Sequence, residues 1–499
     1  MRSIVEDGVV SKKSAPLASE AYAPKVMPRI LGSFDMTSIY VVIIFYVTNA
    51  TSSLSAGAAA FTYWILGAIT FFIPCVIATA QLAAMFPYEG SLYNWTHRAI
   101  GGYWSFFVGF CAWFPGVLVM VSGADIIVSY IQGLHPDWLT QPWQQGLLLT
   151  GVLVFSALIA AQRFRMVQYM VNIAVCLLFL AVSIIGVTAV VWFATGHASV
   201  TSFNHVSDWF ITMGDSKNPG NVAVFGLVTF AFVGMEVPLN MAGEIQGLHV
   251  IKRHLLLGTL LVLIGYYVAT FTLLVTQGAS ANGNTFAIVT SVNKVLGNGV
   301  GDVVAVCIMA AFVIAVIVYN YAYARILFVA SVDRRLPINL GKLNKHRVPA
   351  NALTFQTIVA IVFTALGFVV LPYILKLDNP ANLSNEVYNV VEAAATLVWV
   401  VSTAFLLINI AVFFLRNKQT LLQKRILPLP ILWLCIVVGI VASIAGVVDT
   451  LFNSWIVTLI NNTYWSLLVG GLTLTWLILA AIGSMFGSSQ ADWEKMNEA

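Results

Sequence analysis

Charge is what this sequence has least of. Of its 499 residues, 9% are Asp, Glu, Lys or Arg and 60% are apolar, and the mean hydropathy is +0.89. Soluble domains carry about 25% charged residues, so this chain cannot cover a water-facing surface. That excludes a soluble enzyme, a disordered tail protein and a disulfide scaffold. Cysteine is also sparse. Cys75, Cys111, Cys176, Cys307 and Cys435 each lie in an apolar run, without CxxC spacing or neighbouring histidines, which reads as buried thiols rather than disulfides or metal ligands. The seven histidines fall in predicted loops or at span ends. No nucleophile, base or metal cluster converges, which argues against a membrane-embedded enzyme. The chain has no glycine-rich loop ending in Gly-Lys-Ser/Thr, so ATP-driven machinery and a nucleotide cofactor are not expected. The net charge of +4 points to no nucleic-acid or other polyanionic partner. The first 29 residues lack an apolar core, so no cleavable signal peptide is expected.

What is present in quantity is long apolar sequence. A bilayer crossing takes about 20 apolar residues. Runs of that kind fall at 30–56, 59–85, 103–131, 145–161, 167–195, 222–243, 255–277, 300–330, 350–373, 388–415, 427–452 and 463–487. The reading is an all-α membrane protein of 12 transmembrane helices embedded in a lipid bilayer. With the N-terminus on the cytoplasmic side, 21 Lys and Arg fall inside and only Lys217, Lys294 and Lys376 outside. One missed span would scramble that split, so the positive-inside rule supports both the count and cytoplasmic termini. The outer stretch 197–221 is polar with a turn at Asn218-Pro219-Gly220, and 278–299 reads as a partly helical cap.

Ionisable groups in lipid are functional candidates, because an unpaired charge there costs several kcal/mol, from about 3 upwards. The candidates are Asp35, Asp125, Glu236 and Glu392, while Asp302 and Asp449 fall near predicted outer ends. Asp35 reads equally as a solvated inner-end group near Arg29, Asp125 as a partner of Ser122 or Ser129, and Glu392 as an outer-end carboxylate. Glu236 stands out because Gly234 and Pro238 flank it. Proline lacks an N–H and crowds the carbonyl four residues earlier. Backbone left unpaired at that depth persists only inside protein or along a cavity, and broken helices of this kind hold substrates and ions in secondary transporters. A plain kink with Glu236 bonded to a neighbouring helix is the other reading. From Val303 to Ala324 there is no Ser or Thr, and the fifth run has no Lys, which argues against sodium coupling.

Three separated motifs resemble the amino acid–polyamine–organocation permeases. They are Phe86-Pro-Tyr-Glu-Gly-Ser-Leu-Tyr-Asn-Trp-Thr-His-Arg-Ala-Ile-Gly101, the stretch from Phe230 through Gly234 and Glu236 to Glu244, and Arg325 to Leu336-Pro337 followed by Val348-Pro349. Leu31-Gly32, the region of Tyr46, and Trp64 to Pro74 resemble the glutamate/GABA-antiporter branch. The resemblance implies a LeuT-type fold with 5+5 inverted repeats, broken helices 1 and 6, and substrate held between those breaks. The repeats would be 30–195 and 222–415, with peripheral helices in 427–487 and cytoplasmic tails at 1–29 and 488–499. It implies that Phe230 closes over substrate, that Ala231 and Gly234 line the unwound segment, and that Glu236 serves gating and proton sensing. Val41, Val42 and Ile43 stand where many members have Gly-Ser-Gly, which changes how closely backbone approaches the substrate. Trp113 and Phe114 are candidate pocket walls or simple core, and Tyr319 to Tyr323 carries the same ambiguity.

The resulting expectation is a secondary transporter of the cell membrane that moves an amino acid or related amine by alternating access, as an antiporter or proton-coupled carrier. A non-transporting sensor or a channel on the same fold is the competing expectation. Substrate identity and the choice between monomer and homodimer are left open by the sequence.

Overall fold

The computed structural model of the protein describes residues 17–213, 220–374, 380–456 and 460–498. Arg2, Lys12, Lys13, Lys217, Lys376 and the Asn218-Pro219 turn lie outside them. Every regular element longer than a single bridge among the described residues is a helix, and Leu31 and Ile245 form an isolated parallel bridge. The chain opens with α1 (Ala18–Val26), α2 (Ser33–Ile44), α3 (Asn49–Ser52), α4 (Ala59–Gly67), α5 (Ile73–Met85) and α6 (Ser91–Ile100). It continues with α7 (Gly102–Leu134), α8 (Pro142–Ala160), α9 (Phe164–Ala194), α10 (Val224–Phe230), α11 (Leu248–Thr276), α12 (Ala287–Leu296) and α13 (Asn298–Val332). The last elements are α14 (Ala350–Ala365), α15 (Leu371–Ile374), α16 (Pro380–Arg416), α17 (Lys418–Lys424), α18 (Leu429–Phe452) and α19 (Asn462–Glu498).

Eleven helical segments among the described residues are long and apolar enough to cross a membrane. They correspond to eleven of the twelve apolar runs, and the second, Ala59–Met85, agrees at both ends. The sixth run, 222–243, does not form a comparable helix. It folds as α10 and a 3₁₀ segment, Val237–Glu244, separated by turns over residues 231–236. Eleven of the twelve expected spans are thus continuous apolar helices among the described residues, and the sixth, expected to be broken, is interrupted. Two other prolines are absorbed more gently. Pro74 and Pro372 follow π-helical turns at Ala68–Phe72 and Leu366–Val370, where the wider turn accommodates the missing N–H. The stretch 278–299 is partly helical, with a 3₁₀ turn at Gly278–Ala281 and α12.

Burial sorts the helices into a centre and a periphery. The most apolar window of Ser33–Ser52 is 83% buried and that of Gly102–Leu134 is 78% buried, against 17% for Asn462–Ser488. Around the outside, large side chains such as Leu158, Ile173, Val190, Leu256, Leu434 and Leu474 are exposed, as a surface meeting hydrocarbon requires. Two sequence readings change here. His254 lies within α11 and is fully buried, with Nδ1 3.1 Å from the Val250 carbonyl. Asp449 is buried in α18 and accepts the backbone N–H of Gly226 at 2.8 Å, so it caps α10 rather than facing solvent. Asp302 is exposed.

Two long central helices, α7 and α13, touch through a glycine. A Cβ on Gly116 would sit 2.1 Å from Cε2 of Tyr323, so any side chain there forces the helices apart. Gly116→Ala is expected to destabilise the protein by about 1–3 kcal/mol. Gly151→Ala, in α8 with open space around its Cβ, is expected to be neutral or to stabilise by up to about 1 kcal/mol. Thermal unfolding of both variants in detergent checks the contrast.

Candidate functional site

Two helical interruptions face each other near the centre of the bundle. The first separates α2 from α3 at residues 45–48, and the second separates α10 from Val237–Glu244. Each interruption frees carbonyls that a continuous helix would use internally. Two tyrosines serve them. Tyr319 of α13 donates to the Ile43 carbonyl at 2.7 Å. Tyr266 of α11 donates to the Ile44 carbonyl at 2.8 Å, and its hydroxyl is 3.3 Å from the Ala231 carbonyl. One phenol thus spans both breaks. Gly234 has φ +107°, a left-handed conformation that favours glycine. A Cβ there would meet Ile43 at 3.1 Å and Trp399 at 3.3 Å.

A cavity of about 450 Å³ begins at these breaks and runs to the exposed Thr140 and Gly283. Ile43, Tyr46, Phe230, Ala231, Tyr319 and Trp399 form its deep part, with Asp125 on α7 and Glu392 on α16 along its walls. Of the expected binding residues, Ile43, Phe230 and Ala231 are brought together here, whereas Val41, Val42, Trp113 and Gly234 are not among the lining side chains. Val41 and Val42 remain inside α2. Trp113 packs between helices, donating to Gln356 at 3.2 Å and stacking on Phe355. Glu236 sits just behind the wall. It is 1% exposed, one carboxylate oxygen accepts from Trp399 Nε1 at 3.1 Å, and the other has no hydrogen-bond partner. Asp35 is not at the cavity. It accepts from the Gly32 N–H at 2.9 Å and from Asn172 at 2.8 Å, tying α2 to α9.

The opposite end of the bundle is closed by an ion cluster that the sequence reading did not foresee. Arg325 lies 2.7 Å from Glu244 and 3.5 Å from Glu89, and all three residues are at most 2% exposed. Glu89 also accepts the Gly243 N–H at 2.8 Å. Each member lies in a different one of the three motifs singled out above, which was the available signal. Nearby, the Leu31 N–H donates to the Glu244 carbonyl at 3.0 Å, and the Gln246 N–H to the Leu31 carbonyl at 3.1 Å. Below this, α1 straps the end. Glu20 pairs with Arg98, and the Ser19 N–H and hydroxyl each donate to Asp333 at 2.9 Å. Burial beneath α1 pushes the Asp333 carboxyl up to about 6.

A multi-pass helical membrane protein with a central cavity at two helix interruptions, sealed at one end, is the class these features define. A family model described as "Amino acid permease" matches residues 31–481. The chain therefore belongs to the amino acid permease family, within the amino acid–polyamine–organocation superfamily, whose members are transporters and not enzymes. An uncharacterized transporter of Legionella pneumophila is 24% identical over 74% of this chain and 80% of its own. The branched-chain amino acid permease BcaP of Bacillus subtilis is 24% identical over 83% of this chain and 87% of its own. The gamma-aminobutyric acid permease of Bacillus subtilis is 25% identical over 61% of this chain and 65% of its own.

Removing one partner of a buried ion pair leaves the others uncompensated, at a loss of about 3–5 kcal/mol. Arg325→Met is expected to lower the melting temperature steeply in detergent. Adding Glu89→Gln and Glu244→Gln to that variant should recover a large part of the loss. A single variant as stable as the parent would show that the cluster contributes nothing to holding this end shut.

Proposed function

We propose that this chain is a secondary transporter that carries an amino acid or related amine across the cell membrane by alternating access. The single observation carrying the reading is the cavity at the two interrupted helical segments, reaching one end of the bundle while the Arg325 cluster fills the other. A passage open at one end and packed at the other is half of an alternating-access cycle, and midplane breaks are where such carriers hold substrate. In this reading the segments Ser33–Ser52 and 222–244 are broken helices 1 and 6 of a LeuT-type arrangement of twelve crossings, with 30–195 and 222–415 as inverted repeats. The distribution of basic residues supports cytoplasmic termini, and in that orientation the present state faces outward.

Within that cycle Phe230 closes over substrate, Ile43 and Ala231 shape the pocket floor, and Glu236 couples protonation to closure through Trp399. Val41, Val42, Gly234 and Trp113 act on the pocket indirectly, by packing. Exchange or proton coupling without sodium fits the absence of Ser and Thr from Val303 to Ala324, since sodium prefers several hard oxygen ligands.

Reconstitution tests the reading. Proteoliposomes given a radiolabelled amino acid and amine panel should accumulate label when preloaded with unlabelled substrate. Uptake confined to preloaded vesicles identifies an exchanger, and uptake into empty vesicles under an imposed pH gradient identifies proton symport. Glu236→Gln should retain binding and lose the pH dependence of the rate. Substrate bound but never accumulated under either condition would make the protein a sensor and sink the transport reading.

A further inference from the structure

Away from the central cavity, a second recess of about 430 Å³ opens at the sealed end of the bundle. Three pieces distant in sequence form it. They are Ala84 near the end of α5, Leu248, His249 and Lys252 at the start of α11, and Lys424 and Arg425 at the end of α17. The lining holds three cationic side chains and no Asp or Glu. Like charges gathered in this way repel one another unless an anion shares them. Lys424 spends one N–H on the Met85 carbonyl at 3.2 Å. Lys252 and Arg425 are exposed, and their side chains have neither a hydrogen bond nor an ion pair among the described residues. The backbone that carries Arg425 is nonetheless fixed. The fully buried Gln81 of α5 donates to the Lys424 carbonyl at 3.2 Å and accepts the Ile426 N–H at 2.9 Å.

The candidate membrane spans Ala59–Met85, Leu248–Thr276 and Leu429–Phe452 each have one end at this recess, which places it at the membrane surface. On α11, exposed side chains at four-residue spacing pass from Lys252 to Leu256, Leu260 and Ile264. One stripe of the helix thus changes from cationic to hydrocarbon-facing within a turn. Ile431, Leu434 and Val437 extend an exposed apolar surface along α18. A small free anion would engage the cations alone, whereas an anion with acyl chains engages both surfaces.

We infer that this recess binds an anionic phospholipid, with its phosphodiester held by Lys252, Lys424 and Arg425 and its acyl chains lying along α11 and α18. A guanidinium pairs with phosphate oxygens through two parallel N–H groups, and each ammonium adds a point charge. A zwitterionic lipid brings its own ammonium into the same basic recess and forfeits that gain. The bound headgroup ties α5, α11 and the link between α17 and α18 together. Ala84 stands five residues before Glu89, and Leu248 four after Glu244. Both carboxylates that hold Arg325 therefore follow or precede segments that the lipid fixes, and occupancy stabilises the sealed end.

The experiment titrates the full-length protein, in micelles of a neutral detergent, with dioleoylphosphatidylglycerol, dioleoylphosphatidylcholine or inorganic phosphate. Thermal unfolding and native mass spectra report stabilisation and retained lipid. Phosphatidylglycerol should raise the melting temperature saturably and remain attached, and the other two should do neither. Lys252→Gln and Arg425→Gln should each raise the half-saturating lipid concentration by about fivefold, and together by about 25-fold. Lys342→Gln with Lys345→Gln, which removes two exposed cations outside the recess, should leave the titration as in the parent. Size-exclusion profiles check that each variant is folded. Hydrogen exchange over residues 84–90 and 244–252 should slow with phosphatidylglycerol in the parent and not in the Lys252→Gln/Arg425→Gln double variant. No response of the parent to phosphatidylglycerol, or an equal response to phosphatidylcholine, overturns the inference. An equal loss in the Lys342→Gln/Lys345→Gln control also overturns it, since net charge then suffices. Stabilisation by phosphate alone, abolished in the double variant, makes the recess a free-anion site and overturns the lipid assignment. Lipid retained without slower exchange overturns the stabilisation of the sealed end.

Discussion

Backbone that leaves the helical ladder deep inside a membrane bundle has no water to bond, so every freed carbonyl needs a partner from another element. Here that requirement is met by phenols. Tyr266 reaches the Ile44 and Ala231 carbonyls together, and Tyr319 takes the Ile43 carbonyl. These contacts allow α2 and α10 to end where they do. Their endings create the space that becomes the cavity. Without donors on α11 and α13 at those heights, an uninterrupted helix would be the stable alternative and the centre of the bundle would fill with side chains.

A second constraint acts at the sealed end. Arg325 is placed by α13, Glu244 by the 3₁₀ segment that follows the second break, and Glu89 by the loop between α5 and α6. A buried guanidinium is tolerable only with its carboxylates in place, so the three elements hold one another in register. The Leu31–Ile245 bridge adds the start of α2 to the same knot. Both interrupted segments are thereby anchored at one end, and the cavity opens at the other. Opening this end would mean separating the ion cluster and withdrawing α1 from Asp333.

The cavity and the seal are built on opposite electrostatic rules. At the seal, charges are paired and dry, and they fix geometry. Along the cavity, the described lining residues include Asp125 and Glu392 but no Lys, Arg or His. Glu236 lies between these cases, buried and bonded through one oxygen to Trp399, itself a lining residue. Its contact with the cavity wall runs through that indole rather than through direct exposure.

Much of this was legible in the sequence. Apolar runs of bilayer length located eleven helices, ten of them within about four residues at each end, because in lipid the backbone has no alternative to the helix. Gly234 and Pro238 marked the second interruption, because left-handed backbone and a missing N–H are properties of single residues. The first interruption carried no such mark. Residues 45–48 contain neither glycine nor proline, and the chain opens there because Tyr266 and Tyr319 arrive from more than 200 positions away. The same holds for the site. Phe230 and Ala231 were recognisable from their motif, but the placing of Asp125 and Glu392 along one cavity, and the convergence of Glu89 and Glu244 on Arg325, is a matter of distance between helices. The sequence alone determined which segments enter the membrane and where one of them must break. Only the tertiary structure decided which carboxylates are paired and which face an open cavity, because charge compensation depends on proximity in space.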